Sequence, residues 1–515
     1  YGLGNDVLTQ DSVNELSAMI ASAENGGTIN LDKSYAVLSS IPINKEITIN
    51  LQGHTIMYGG LDKTQMFLVD GERSHLIITN AADSIKSDAV VQGAIVNEWG
   101  NLENLIRVQN KGKLTLENAI LKNKNGNHAI SASNSAIEIN GGQIIGSGRK
   151  VQGSRGGGIN LDGSALELSN GKIEGNKGEL GGGIYAVKAS KINVNNSEII
   201  GNEAIDSGGG IYIQNSTMQL DGAAKLSNNR ADIGGGLGVY DRSVVTITNA
   251  VISNNTAMAT TKRKDFKIGT ITYDQNYGGG GIYVNEGGVV TLEENCIIEQ
   301  NRSEATSKVG RGGGGNGGGG IFSRGMVVMK GGTIRDNYAK DSGGGIYAVG
   351  RFTMEGGMIT GNTAQLDEGG GLRVDGKGSV ITGGAITHNR TETGFDWGGG
   401  GVFINFGGEL TIYNLLVNNN TAAGFGGGVG GCSSGDIEVC SLEGAAIYGN
   451  HANRASLTDR EGYSKRDDQK ISEYDVFKNS GCDDYFCAGT STVYGRMLGD
   501  IDAGWVGSFG NAERN

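Results

Sequence analysis

The chain has 515 residues, including 93 glycines and a single proline, and a formal net charge of −12 at pH 7. The acidic balance argues against a nucleic-acid partner, which would require a basic face. No apolar run is long enough to cross a bilayer, so we expect no membrane insertion. The same balance suits calcium, which takes oxygen ligands.

An amphipathic helix is predicted near the start of the chain, over residues 11–24. Ser12 and Glu15 have the spacing of a capping box. The apolar stripe of this helix consists of Val13, Leu16 and Ile20. We expect the helix to cover the open first edge of a β stack, within an N-terminal cap of residues 1–28.

A repeated unit fills most of the remaining chain. Short segments alternate apolar and polar residues from Gly26 onward, as β-strands do. After about residue 150 an Asn recurs, at intervals mostly near 26 residues, shortly before a run of glycines and then Ile-Tyr or a close variant. These residues are Asn176, Asn202, Asn229, Asn255, Asn301, Asn337, Asn362, Asn389, Asn420 and Asn450. Three short strands fit each unit, and a unit of this size buries a core only by stacking. Residues 29–450 therefore predict an all-β, right-handed parallel β-helix.

Successive coils lie about 4.8 Å apart, so residues at equivalent positions form columns. The Asn column is predicted to be an internal ladder of amide hydrogen bonds. In the strand after each glycine run the first residue points inward and the second outward. The outward column contains Tyr185, Tyr212, Gly238, Tyr283, Phe322, Tyr347, Arg373 and Phe403. Its rings either stack on sugars along a groove or pack on one another.

A column of acids stands two residues before the glycine runs. Its members are Glu179, Asp206, Asp232, Asp341, Asp367 and Asp396. We expect most of them to shape turns by accepting backbone N–H bonds.

Two insertions interrupt the repeat, at about residues 256–277 and 302–316. Both follow the same turn of neighbouring coils, and long loops on one face of a solenoid usually build its binding surface. We expect them to wall a pocket. The residues predicted around this pocket are Tyr240, Tyr283, Arg324, Tyr273 and Asp274.

The segment 367–375, DEGGGLRVD, departs from the repeat. Glu368 stands where Ser or Leu is usual, Arg373 stands in the aromatic column, and Asp375 ends the strand. Extra charges on one coil are costly unless they pair or do chemical work. Glycoside hydrolysis uses two carboxylates, one as acid and one as nucleophile or base. Arg373 would hold a carboxylate ionised or bind a sugar hydroxyl.

Asp375 also has a structural interpretation. Asn285 and Asn405 occupy its place in nearby coils, so Asp375 would be a turn former. A catalytic pair has a further requirement, since extended chain would hold Glu368 and Asp375 too far apart. The glycines between them must then fold the turn back sharply.

Four of the five cysteines lie late in the chain, where residues 451–515 are predicted to form an irregular C-terminal cap. Cys482 and Cys487 flank a short loop, and a disulfide between them is plausible in a secreted protein. Cys432 and Cys440 do not have zinc-finger spacing. The isolated Cys296 is predicted to be a small core residue.

The coils of the form GNTA…GGGIY resemble those of two kinds of bacterial surface protein. One comprises repeat adhesins and autotransporter passengers, including polymorphic outer-membrane proteins. The other is the β-helical lacto-N-biosidases of glycoside hydrolase family 136 from gut bacteria, which resemble the chain over most of residues 30–510. This second resemblance implies release of lacto-N-biose from milk oligosaccharides with retention of configuration, by two aspartates separated by six residues.

The pair Glu368 and Asp375 matches that interval, with Glu368 in the acid/base place and Asp375 in the nucleophile place. The Glu departs from the family pattern, and Asp367 is the alternative counterpart. The resemblance also implies structural Ca²⁺ and a separate folding-helper domain. No cofactor is required for the reaction, and the sequence does not indicate the metal ligands.

We predict a secreted or cell-surface bacterial glycoside hydrolase that acts on host or milk oligosaccharides as a monomer. The alternatives are a non-catalytic adhesin that binds glycan or protein, and a polysaccharide lyase. The insertions favour the enzyme, because a purely adhesive rod has little need of them. The predicted substrate-binding residues are Arg373, Tyr347, Phe403, Trp397, Asp396, Tyr283, Tyr240, Tyr273 and Arg324.

Overall fold

The computed structural model divides into two compact units, Tyr1–Arg230 and Ala231–Asn515. The residues it describes are 14–61, 63–81, 93–98, 102–124, 126–261, 263–268, 271–275, 277–306, 316–392, 398–405, 407–424, 426–431, 436–441, 445–452, 483–487 and 490–495. Only the backbone is described for residues 263–268, 271–275, 436, 438–441, 485–487 and 490–495.

One helix, Glu15–Ser22, lies near the start of the first unit, with Leu16 and Ile20 buried as predicted. Its N-cap is Asn14, whose backbone is left-handed (φ 73°) and whose side chain makes no capping bond. The helix therefore begins later than the capping box indicated; Ser12 and Val13 lie outside the described residues. Among the described residues no helix is long and apolar enough to cross a membrane.

The strands of the first unit form three main parallel sheets, which the chain visits in turn, and a short fourth sheet. The first sheet contains Gly27–Asn30, Glu46–Asn50, His75–Thr79, Lys113–Glu117, Ala136–Asn140, Ala165–Ser169, Lys191–Asn195 and Thr217–Asp221. The second contains Tyr35–Val37, Thr55–Tyr58, Ala94–Asn97, Ile120–Asn123, Gln143–Ile145, Lys172–Glu174, Glu198–Ile200 and Lys225–Ser227. The third contains Ile41–Ile43, Gln65–Asp70, Asn104–Gln109, His128–Ser133, Ile159–Asp162, Ile184–Val187 and Ile211–Gln214. The fourth contains Lys177–Leu180, Glu203–Ser207 and Arg230–Ala231.

The second unit repeats this pattern of four sheets. Its first sheet contains Val244–Ile247, Val289–Leu292, Met326–Met329, Phe352–Met354, Ser379–Ile381, Glu409–Ile412, Asp436–Ser441 and Thr490–Gly495. Its second contains Val251–Ser253, Ile297–Glu299, Thr333–Arg335, Met358–Thr360, Ala385–Thr387, Leu415–Asn418 and Ala445–Tyr448. Its third contains Leu237–Tyr240, Ile282–Val284, Ile321–Ser323, Ile346–Ala348, Leu372–Val374, Val402–Ile404, Val429–Gly431 and Tyr485–Cys487. Its fourth contains Thr256–Ala257, Arg302–Ser303, Tyr338–Ala339, Thr363–Ala364, Arg390–Thr391, Thr421–Ala422 and His451–Ala452.

The all-β, right-handed parallel β-helix predicted from the repeat is confirmed. The coil nevertheless has more strands than the three predicted, because a short strand of the fourth sheet follows each ladder Asn. In the second unit these strands have only two residues each, for example Thr363–Ala364. Two residues are too few to show a period of alternation in the sequence.

The Asn ladder is also confirmed. In the second unit Asn337 Oδ1 accepts a bond from the backbone N of Asn301 and another from its Nδ2, both at 3.0 Å. Asn337 Nδ2 passes the pattern on to Asn362 Oδ1, again at 3.0 Å. Each amide is thus buried with its bonding groups in use, which avoids the free-energy cost of an unpaired buried polar group.

The ladder explains why glycine recurs with asparagine. A Cβ placed on Gly345, the third glycine of its run, would lie 2.6 Å from the carbonyl oxygen of Gly371 and 3.1 Å from the side chain of Asn362. No larger residue fits between the ladder and the backbone of the next coil. Asparagine and glycine therefore recur together, because the glycines of each coil pack against the ladder asparagines.

The first insertion contains an antiparallel hairpin of Arg263–Ile268 and Ile271–Gln275. In the second insertion, residues 307–315 lie outside the described part. Strands also occur within the segment predicted to be the C-terminal cap. Tyr485–Cys487 pairs in parallel with Val429–Gly431, and Thr490–Gly495 pairs with Asp436–Ser441. The coil pattern thus continues beyond residue 451.

Cys296 is buried, and burial raises the pKa of its thiol to about 12, in keeping with the predicted core position. The side chains of Cys432, Cys440, Cys482 and Cys487 lie outside the described ones, so the disulfide stays a prediction.

Candidate active site

Arg373 is the centre of a charged cluster in the second unit. It lies in strand Leu372–Val374, in register with Tyr347 on one side and Phe403 on the other. It therefore occupies the aromatic column, as the sequence indicated. Its side chain is completely buried, and its guanidinium carbon lies 4.7 Å from the centre of the Tyr347 ring, a cation–π contact.

Asp375 is held by four hydrogen bonds. Arg373 forms a fork with it, from Nε to Oδ1 at 2.9 Å and from Nη2 to Oδ2 at 3.3 Å. The Tyr347 hydroxyl donates to Oδ2 at 2.6 Å, and Asn405 Nδ2 donates to the same oxygen at 3.3 Å. Three donors thus converge on Oδ2, whereas Oδ1 receives one of these bonds.

Asp367 and Glu368 approach the same guanidinium from the other side. Arg373 Nη1 lies 3.3 Å from Asp367 Oδ2 and 3.3 Å from Glu368 Oε2. Ser342 Oγ accepts a 2.6 Å bond from Arg373 Nη1 and lies 3.2 Å from Asp367 Oδ2, to which it donates. The described contacts therefore gather three carboxylates around one cation.

Gly369 makes this convergence possible. Its φ of +72° lies in the left-handed region, and an added Cβ would stand 2.8 Å from the Cβ of Arg373. The chain therefore reverses between Glu368 and Leu372. Glu368 and Asp375 can act together only if the chain turns in this way, and the turn is present.

Burial and the neighbouring charges shift the pKa values of Asp367 and Arg373. Burial raises the pKa of Asp367, although Arg373 and Ser342 oppose the rise. Burial acts to lower the pKa of Arg373, but the attraction of Asp375, Tyr347 and the other two acids outweighs it and raises the pKa well above its usual value. Arg373 therefore stays charged, and burial favours the protonated form of Asp367.

The aromatic column is buried and packs on itself. Its aromatic members and Arg373 are at most 6% exposed. In the first unit Tyr185 stacks on Tyr212 with ring centres 5.2 Å apart. In the second unit the chain of ring contacts runs from Tyr240 through Tyr283 and Phe322 to Tyr347, with centres 5.5, 5.9 and 5.0 Å apart. Mutual packing, one of the two interpretations of this column, therefore describes it, and an open aromatic stripe does not.

Residues just before the glycine runs cover this face of the sheet. Ile233 and Tyr277 form a buried cluster with Tyr283, Phe322 and Tyr347. Strand alternation correctly predicts that the column points outward, but the segment that enters each strand folds over it. Outward-pointing side chains are thereby removed from solvent.

The residues predicted around a pocket are only partly brought together. Arg324 Nη1 donates to the Tyr277 hydroxyl at 3.3 Å, and its guanidinium carbon lies 5.3 Å from the centre of that ring. Tyr277 stacks on Tyr283 with ring centres 5.7 Å apart, and Tyr240 packs against Tyr283 with ring centres 5.5 Å apart. The backbone of Tyr273 belongs to the hairpin, opposite Phe266, and its side chain is outside the described ones. Residues 393–397, with Asp396 and Trp397, are also outside.

Two acids of this column accept backbone N–H bonds, as predicted, but from a neighbouring coil and not from their own turn. Asp232 Oδ1 accepts from the backbone N and the hydroxyl of Thr260 at 2.6 and 2.8 Å, so it orders the start of the first insertion. Glu179 Oε2 accepts from Gly153 N at 2.6 Å. Asp367 differs from both, because its described partners are Arg373 and Ser342.

Three residues of these two clusters were not predicted as site residues from the sequence. Ser342 and Tyr277 stand next to or near a glycine run, and Asn405 was considered only as a turn former. Only their position in the repeat could have indicated them. Residues that precede a glycine run, and residues that follow the strand of another coil, both lie over the aromatic column. For metals, the described residues contain no group of three His, Cys, Asp or Glu side chains arranged to hold an ion.

Comparison with known proteins agrees with this architecture. The family model for the right-handed beta helix region matches residues 104–269 and 260–426, which together make up more than half of the chain. No curated protein and no solved structure matches the sequence. The repeated coils, the amide ladder and the family match lead to one conclusion: the chain belongs to the right-handed β-helix family.

Proposed function

We propose that this protein is a retaining glycoside hydrolase of the lacto-N-biosidase kind, acting on host or milk oligosaccharides at the cell surface or in secreted form. The observation that carries the proposal is the convergence of Asp367, Glu368 and Asp375 on Arg373 within one coil. β-Helix regions occur in some glycosidases and pectate lyases, which agrees with the proposal.

Asp375 is assigned the role of nucleophile. Hydrogen bonds from Arg373 and Tyr347 hold its carboxyl group in a fixed orientation, as a nucleophile requires. Oδ2 already receives three donors, so Oδ1 is the oxygen that attacks the anomeric carbon. The bond formed is an ester between Asp375 and the sugar, and the bond broken is the glycosidic C–O bond.

Asp367 is assigned the role of acid and base. Burial favours its protonated form, and its side chain, 10% exposed, is the most accessible of the three acids. It gives its proton to the departing oxygen and then takes one from the water that cleaves the ester. Glu368 is the alternative in this role, since its side chain contacts the same nitrogen of Arg373.

This mechanism also requires that the substrate reach the carboxyl group of Asp375. The side chain of Asp375 is completely buried, so a sugar reaches Oδ1 only when the side chains around it move apart. Substrate binding is therefore expected to open the cluster, as conformational steps do in many enzymes.

The same burial favours a second candidate, a non-catalytic adhesin. A buried, fully paired Arg–Asp fork is also how a protein fixes one arrangement of a charged coil. In that case the acids would be structural, and glycan or protein would bind elsewhere on the surface.

The two candidates separate in one assay. Purified protein is incubated with lacto-N-tetraose and with a panel of host and pectic glycans. A hydrolase releases a disaccharide, and NMR of the first product gives the retained anomer. Intact substrate across the panel with measurable glycan binding favours the adhesin, and an unsaturated product that absorbs in the ultraviolet indicates a lyase.

Variants then test the assigned roles. Asp375→Asn is expected to lower kcat by roughly 10³-fold or more, while the exposed control Asp162→Asn, paired with Lys188 on another coil, keeps full activity. With an activated aryl glycoside, azide restores turnover of Asp375→Gly if the residue is the nucleophile. Hydrolysis by Asp375→Asn at the unchanged rate contradicts the assignment.

A further inference from the structure

Arg324 is a rigidly held cation at the edge of the aromatic cluster. Its guanidinium lies over the Tyr277 ring and donates to the hydroxyl of that residue. Its side chain is 20% exposed, so it is not sealed from solvent. Its ionic partner is Glu286, which is 69% exposed. Arg324 therefore combines a fixed orientation with an exchangeable partner.

The Arg324–Glu286 ion pair is open to exchange on the side of Glu286. This carboxylate is mostly exposed, so water and salt screen its charge, and its side chain must be ordered to form the pair. An incoming carboxylate loses less by replacing Glu286 than by binding a free, mobile arginine. Tyr277 already restricts the guanidinium, so little rotamer freedom remains to be lost.

Tyr240 and Arg324 follow equivalent strand residues two coils apart, because Val239 pairs with Val284 and Val284 pairs with Ser323. Tyr240 is only partly buried and packs against Tyr283, which stacks on Tyr277. Flat apolar rings match the C–H faces of pyranoses. The neighbourhood therefore offers the two contacts that a charged sugar needs, a planar cation for its anionic group and a ring face for its body.

We propose that Arg324, with Tyr240 and Tyr277, forms a subsite for an anionic sugar, in which a carboxylate on the sugar displaces Glu286 from the guanidinium. Arg is suited to this because its fork pairs with both oxygens of a planar carboxylate. The inference deepens the proposed function by naming a substrate class, and it rests on that function only for the choice of a glycan as ligand.

A matched series of monosaccharides tests the subsite. Galacturonic acid, galactose 6-sulfate and galactose share a ring and differ at the sixth carbon. Isothermal titration is expected to give binding of galacturonic acid at least about tenfold tighter than binding of galactose. If galactose 6-sulfate binds more tightly than galacturonic acid, the subsite is assigned to sulfated sugars, and the proposed recognition of a carboxylate is wrong. Equal binding of all three, or no binding of any, overturns the subsite itself.

Two substitutions of the same pair are expected to act in opposite directions. Arg324→Gln lowers the affinity for galacturonic acid about tenfold or more. Glu286→Gln raises it, because the competing carboxylate is gone. The control is Arg335→Gln, which breaks a comparable ion pair with Glu299 on the second sheet and leaves binding unchanged. Equal affinity of Arg324→Gln and the unaltered protein contradicts the proposal.

The binding measurement does not depend on catalysis. Titrations with the unaltered protein and with Asp375→Asn give the same affinity if the subsite is correct. Binding of galacturonic acid without hydrolysis of any glycan removes the proposed hydrolase and keeps the subsite. Hydrolysis of a glycan without preferential binding of galacturonic acid keeps the proposed hydrolase and removes the subsite.

Discussion

Asn450 donates two hydrogen bonds to Asp484, from its backbone N and from its Nδ2, and both reach Oδ1 over 2.8 Å. In the preceding coils of the second unit the acceptor is another asparagine. The ladder therefore passes from amides to a buried carboxyl group at this coil. Burial raises the pKa of Asp484, although its bonds from Asn450 oppose the rise.

Replacing this carboxyl by an amide is expected to stabilise the protein. Asp484→Asn keeps both acceptor bonds and removes the cost of burying a charge, for an expected gain of about 1 kcal/mol at pH 7. A raised folded-state pKa means that the folded protein binds the proton more tightly, so the aspartate loses stability as pH rises through that pKa. Urea unfolding between pH 4 and 8 should show that the difference in unfolding free energy between variant and parent grows as the pH rises. Asp483→Asn is the control, and equal stability of Asp484→Asn and parent at pH 7 contradicts the expectation.

Each step of the ladder is expected to be costly to remove. Asn337→Ala leaves two donors of Asn301 without their acceptor, and each buried unsatisfied group costs about 1–3 kcal/mol. A matched control exists within the chain, because Ser147 holds a ladder position in the first unit and accepts from Asn123 N at 2.9 Å. Asn337→Ser should therefore lose less stability than Asn337→Ala. Thermal or urea unfolding followed by circular dichroism measures both, and equal losses would argue against the ladder as the cause.

The charged coil around Arg373 is expected to show strong coupling. Arg373→Met leaves Asp375 buried without its fork and should cost about 3–5 kcal/mol. The double variant Arg373→Met, Asp375→Leu removes both charges, so it should recover part of this loss. A double-mutant cycle of unfolding free energies gives the coupling. Additive losses would show that the two residues act independently.

Acid is expected to destabilise the first unit through His128. Burial lowers the pKa of His128 to about 4, more than the contact between its Nδ1 and the Gly156 oxygen raises it. The unfolded chain, with a pKa near 6.5, holds the proton between about pH 6.5 and 4 while the folded protein does not. Stability should therefore fall over this window. Because the ring is partly exposed, the loss is expected to be about 2 kcal/mol.

The matched variants for this effect are His128→Gln and His388→Asn. The first should flatten the stability profile between pH 6.5 and 4, because it removes the group that titrates. The second changes an exposed histidine and should leave the profile as it is. Hydrogen exchange of the first unit gives a local measure of the change. A profile of His128→Gln that still falls by the same amount assigns the acid sensitivity to other groups.

The repeat itself made the coil and its ladder predictable, because a ladder Asn and a glycine run must coincide for the backbones to approach. The burial of Tyr347 and Arg373 was not predictable in the same way. Alternation gives the face of a strand, but it does not tell whether Ile233 or Tyr277, from an adjoining segment, covers that face. The convergence of Asp367 with Asp375 depends on the left-handed backbone of Gly369, which the sequence permits without requiring.

The pairing of amide and glycine has a consequence for how such a chain changes in evolution. Gly345 fits against Asn362 in the same way as Gly371 fits against Asn389. A whole repeat gained or lost by recombination therefore recreates contacts that already exist, and the protein lengthens or shortens without a new design. Loss of one or two residues within a repeat has the opposite effect, since it moves the asparagine away from its glycine and interrupts the column there.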